Sequence, residues 1–249
     1  HNIIKQFPIS TWQQLLQVDA IFLQYSEYIY NITLYNPEDF ELQQHLLSII
    51  HHTLEHILQQ DAQQLILQAL INILNWFPHV EADYIALFNI IIKLFLSESS
   101  KDINNTYYIM QILSLLLGNE FISQPISFEE EFIDLLYQHC IQLENHDKKI
   151  LALHLLQLMV NTGLDPEFLF SKNIIEIVST QLLENEFPHG ISMEISLLLL
   201  TVFNLASNQC ILQFMQSEKR VGLFNSLKLI TETEEVNHLP ELLNLINKL

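Results

Sequence analysis

The chain has 249 residues, 49% of them hydrophobic, with a formal charge of −19, a single arginine at Arg220, and no lysine or arginine between Lys5 and Lys93. Nucleic-acid binding draws most of its affinity from cations placed on phosphates, so this balance argues against DNA or RNA partners. Four glycines and seven prolines are too few for a turn-rich β fold or a phosphate-cradling loop. No apolar run reaches the roughly 20 residues of a membrane span, because the longest candidates are broken by Lys93 or by Ser196 and Thr201.

Helices are expected at 11–35, 37–59, 61–77, 81–97, 104–118, 127–143, 147–162, 172–185, 190–206, 208–230 and 238–249. The second opens on Asn36-Pro37, a cap followed by proline at the first helical position. The third has the cleanest pattern: Ala62, Leu65, Ile66, Ala69, Leu70, Ile73, Leu74 and Phe77 recur at helical spacing, which defines one buried face. Asp61 is placed to cap its start, and Pro78 disfavours helical geometry at the residue before it.

Gly118 and Gly163 follow apolar runs, where a left-handed residue satisfies the last carbonyls. Ser127-Phe-Glu-Glu130 reads as a capping box, and the acids at 129–131 suit the positive end of the helix dipole. Asp165-Pro166 repeats the cap-and-proline device. In 190–206, Met193, Ile195, Leu197 to Leu200, Val202, Phe203 and Leu205 leave almost no polar face. Such a helix is expected to be buried on most sides, as the inner helix of a stacked array is.

Asn31, Asn75, Asn119, Asn161, Asn204 and Asn247 are spaced by 44, 44, 42, 43 and 43 residues, each near the end of every second expected helix. That period falls within the roughly 40–47 residues of armadillo and HEAT repeats. The asparagines read first as helix C-caps, since Asn tolerates left-handed backbone. The other reading is a row of amides that pairs with the backbone of an extended partner. It makes Asn75, Asn119, Asn161 and Asn204 the candidate partner-binding residues.

The run Asn173-Ile-Ile-Glu-Ile-Val-Ser-Thr-Gln-Leu-Leu, then Ile195-Ser-Leu-Leu-Leu-Leu-Thr-Val-Phe-Asn204-Leu-Ala, then Leu223-Phe-Asn-Ser-Leu resembles an armadillo repeat. The resemblance covers about one repeat, 173–227. It implies that Asn-Leu-Ala closes a third helix and that Asn204 faces a concave groove. Repeats similar to those of importin-α place a tryptophan one turn before the asparagine, whereas Leu200 and Ile71 stand there in this chain. Ile73-Leu-Asn-Trp76-Phe-Pro78, with a helix ending Lys93-Leu-Phe-Leu96, resembles a junction in exportin-type HEAT repeats. It implies a fragment of a nuclear transport receptor as the alternative function.

His52-Thr-Leu-Glu55-His56 matches the H-x-x-E-H string of inverted-motif zinc peptidases. Leu46, Ile50, Leu54, Ile57 and Leu58 form that helix's apolar stripe, which places the motif on a polar face without a recess. Cys140 and Cys210 are far apart, as expected of a reducing compartment without thiolate metal sites. Met110, Met159, Met193 and Met215 are expected to fill gaps in the core.

The expectation is therefore an all-α, armadillo/HEAT-like α-solenoid of stacked helix pairs over 1–249. It is expected to be a fragment of a longer protein, since it opens at His1 without a methionine. Its expected role is a non-enzymatic scaffold, intracellular in the cytoplasm or nucleus, with no metal and no cofactor. Its expected partner is a basic or amphipathic protein segment, because a strongly acidic field favours basic partners and repels anionic membranes.

Overall fold

A computed structural model describes residues 19–35, 40–54, 60–76, 83–98, 103–119, 121–122, 126–142, 145–181 and 189–216, with the single positions 11 and 244. Among the described residues there are eleven helices and no strand. The helices are α1 Asp19–Leu34, α2 Phe40–Leu54, α3 Gln60–Trp76, α4 Tyr84–Glu98, α5 Ile103–Gly118, α6 Glu130–Gln142, α7 His146–Thr162, α8 Pro166–Ser171, α9 Ile174–Gln181, α10 His189–Leu205 and α11 Asn208–Gln216. None is long and apolar enough to cross a membrane. The chain divides into two compact units, 1–123 and 124–249.

In the first unit α3 lies between α1 and α5, while α2 packs on α3 and α4 on α5. This explains why α3 buries more than one stripe. Ala62, Gln63, Ile66, Leu67, Ala69, Leu70, Ile73 and Leu74 are all buried, because three neighbours cover it. Phe88 and Phe95 of α4 are fully enclosed. Each such side chain contributes roughly 1.5–3 kcal/mol by leaving water.

In the second unit α7 packs against α6 and α10, α9 against α8 and α10, and α8 against α11. Asn145 caps α7, its side chain accepting from the backbone N–H groups of Asp147 and Lys148. Gly163, at φ 132°, ends the helix by donating to the Met159 carbonyl. Gly190 lies against α7, where a Cβ would come 2.9 Å from Ile150 Cδ1, the mobile end of a side chain that can shift aside. The near absence of a polar face on α10 is matched by burial: Ile191, Ile195, Leu198, Leu199, Val202 and Phe203 are enclosed.

Three local expectations are corrected. The helix expected at 172–185 starts at Ile174, and a short helix that was not expected, α8, precedes it from Pro166 to Ser171; Asn173, with left-handed backbone at φ 58°, separates the two. The expected capping box does not form. Helix α6 begins at Glu130, with the Glu129 carbonyl accepting from Phe132 and Ile133 N–H, and the Glu130 carboxylate is engaged by Lys172. Met193 is 38% exposed rather than in the core, since it sits two residues from both Ile191 and Ile195 and so points away from their face. The expected helix at 238–249 and most of 208–230 lie outside the described residues.

Candidate binding surface

Polar side chains tie alternate helices together in each unit. In the first, Gln68 donates to the Tyr108 hydroxyl at 2.7 Å and Gln64 to the same oxygen at 3.4 Å. Asn105 donates to Gln63 at 3.2 Å, and Asn72 to Thr33 at 3.2 Å. The partners advance together along α3 and α5, so these two helices run parallel. Thr33 and Asn72 likewise join the C-terminal turns of α1 and α3. In the second unit His154 pairs with Glu194 at 3.3 Å and Gln157 donates to Thr201 at 3.3 Å, which sets α7 and α10 parallel. Parallel neighbours bring their C-terminal ends to the same edge.

The five described asparagines of the periodic series sit at those ends. Asn31 lies in the last turn of α1, Asn75 in that of α3, Asn161 in that of α7 and Asn204 in that of α10, and Asn119 follows α5. All five are exposed. Among the described residues their carboxamides have no hydrogen-bond partner within the protein. Within each unit, Asn31, Asn75 and Asn119, and separately Asn161 and Asn204, are brought to one edge. Asn247 lies outside the described residues.

C-capping is not their role. Asn173 is the non-glycine residue with positive φ among the described positions, and Asn75, Asn161 and Asn204 are helical. Gly163 performs the capping on α7.

The electrostatics of these ends is shared by most of the described helices, since α4, α8, α9 and α11 also lack a basic residue in the last turn. The last turns of α1, α3, α5, α7 and α10 contain no basic residue, although a cation there would offset the negative end of the helix dipole. By contrast α2 ends with His51 and His52, and α6 with His139. Exposed apolar side chains flank the asparagines: Leu34 and Tyr35 after Asn31, and Leu205 after Asn204. The ends therefore offer amide donors and acceptors, a negative potential and some apolar surface.

His52 is half-buried, and Leu46, Ile50 and Leu54 of the same helix are buried, while Glu55 and His56 lie outside the described residues. Among the described residues no group of three or more His, Cys, Asp or Glu is placed to hold a metal ion. Burial, and then the charges of Glu167 and Asp165, push the Cys210 thiol up.

Sequence reasoning located the asparagines but not the bonds that align their helices. No local pattern distinguishes Gln64, Gln68 and Tyr108 from other polar positions, although Tyr108 stands 44 and 40 residues from the two glutamines.

No protein-family model matches the chain, nor does any curated protein. Among solved structures it is similar to the crystal structure of an engineered protein, a structural-genomics target, with a TM-score of 0.68 over 96% of each chain at 13% identity. At that identity the likeness is one of fold alone, an all-α arrangement of packed helices.

Proposed function

We propose that the chain is a non-enzymatic protein-interaction scaffold, built as an armadillo- or HEAT-like α-solenoid of stacked helix pairs over 1–249. Its partner is a basic or amphipathic segment held along the helix ends that carry Asn75, Asn119, Asn161 and Asn204. The observation that carries this reading is a coincidence at those ends: exposed carboxamides, without partners among the described residues, stand where the helix dipoles lack an offsetting cation. An extended backbone satisfies such amides, and basic side chains satisfy the potential. The repeat reading is supported by the asparagine spacings and by hydrogen bonds that join residues 38 to 44 positions apart. The reducing, intracellular setting, cytoplasmic or nuclear, rests on the two separated cysteines.

The test compares the parent with the quadruple variant Asn75→Ala, Asn119→Ala, Asn161→Ala, Asn204→Ala, which alters exposed side chains. Both are immobilised and exposed to native-cell extract at low and high salt. Proteins captured by the parent are expected to be basic, to be lost by the variant, and to bind less at high salt. Equal capture by an equally folded variant, or salt-insensitive binding, sinks the reading.

A further inference from the structure

We infer that residues 164–172, with the short helix α8 at their centre, form a hinged strap held shut by an ionic clasp at Lys172. Among the described residues the positions with positive φ are Gly163, at 132°, and Asn173, at 58°. They stand immediately before and after this segment. Glycine takes either hand of backbone freely and asparagine tolerates the left-handed region better than most side chains, so both ends of the strap can absorb a change of direction, as hinge residues at element ends do. Between the hinges α8 is closed at both ends. The Asp165 side chain accepts from Glu167 N–H at its start, Pro166 fixes its first turn, and Lys172 N–H donates to the Phe168 and Phe170 carbonyls at its finish. The segment is therefore built to move as one piece.

The strap is lightly packed. Leu164 is buried, and Leu169 is the one residue of α8 that is fully enclosed. Phe170 meets Phe203 and Phe214 with ring centroids 6.0 and 5.6 Å away. Beside these contacts, Glu167, Phe170 and Ser171 border a cavity of about 340 Å³ shared with α9 and α11. A void leaves its lining without partner atoms on one side, so this seat is weaker than a close-packed one.

Charge closes the other side. Lys172 sends its ammonium to two carboxylates of α6, Glu130 and, at 3.2 Å, Asp134, and holds it 5.4 Å from the centroid of the Phe168 ring. Glu130 and Asp134 stand one helical turn apart, so a single cation reaches both. The side chains of Lys172, Glu130 and Asp134 are 30%, 62% and 44% exposed, which leaves the clasp open to screening by salt. Loosening it lets α8 swing on Gly163 and Asn173, uncovers Leu169 and widens the cavity, while α7 and α10 stay folded. Movable elements come from the least packed part of a fold for this reason: their opening costs less than unfolding the whole unit. The strap stands independently of the asparagine-bearing helix ends.

Amide hydrogen exchange of the full chain, read by mass spectrometry at low and high salt, tests the device. Residues 164–172 are expected to exchange faster than α7 and α10, and faster still at high salt. Lys172→Met keeps an apolar stem against Phe168 and removes the charge. It is expected to speed exchange of 164–172 roughly fivefold, the upper end for an exposed ion pair, to leave α7 and α10 unchanged, and to abolish the salt response. Exchange of 164–172 only together with α7 and α10 overturns the strap. Exchange unaltered by both salt and Lys172→Met overturns the clasp, as does an acceleration spread over the whole unit, which makes Lys172 a general stabiliser.

Discussion

Asn105 and Gln63 form a buried amide pair between α5 and α3, with relative exposures of 0% and 4% and a single hydrogen bond of 3.2 Å. The second acceptor of the pair, Asn105 Oδ1, is buried without a partner, so the native state already carries one unsatisfied group. Asn105→Leu alone strands the Gln63 amide in the core and is expected to destabilise the first unit by about 1–3 kcal/mol. Gln63→Met alone strands Asn105 and is expected to cost a similar amount. Together they replace two polar groups by apolar groups of similar volume, and the double variant is expected within about 1 kcal/mol of the parent, or above it. Urea unfolding followed by circular dichroism at 222 nm measures the cycle, and each kcal/mol corresponds to about 4 °C in Tm for a unit of this size. A double variant destabilised by the sum of the two singles shows no coupling, and refutes the claim that the bond, rather than separate packing, joins these residues.

Two further outcomes follow from the second unit. Asn145→Ala removes the side-chain acceptor for two orphan N–H groups at the start of α7 and is expected to cost about 1 kcal/mol in the same unfolding assay, against no loss for Asn145→Asp. Burial first, and the charge of Lys148 second, hold His139 below its ordinary pKa of 6.5. The unfolded chain therefore binds a proton at a pH where the native chain does not, so stability is full above 6.5 and falls as pH drops below it. His139→Gln is expected to flatten that decline in a Tm-against-pH series, and an unchanged slope contradicts the assignment.

Much of the fold was legible because helical periodicity is a local property. Ala62, Ile66, Leu70 and Ile73 announce α3 by their spacing, Gly163 announces the end of α7, and the apolar surround of 190–206 announces a helix covered on several sides. The candidate binding ends were legible as positions, through the spacing of Asn31, Asn75, Asn119, Asn161 and Asn204. Capping was not legible in the same way: a residue near a helix end looks like a cap, and only backbone angles show that α7 uses Gly163.

The sequence by itself determined the helices and the acidic charge, since periodicity, capping residues and composition act over a few neighbouring positions. Tertiary structure decided which polar groups met. Glu130 gave up its capping box for Lys172, Tyr108 gathered Gln64 and Gln68, and Lys148 and Lys149 were buried near the start of α7. Each involves packing between helices distant in sequence, where the gain of pairing or burying a group outweighs its local preference, and no local pattern records which of several equivalent partners will be brought within reach.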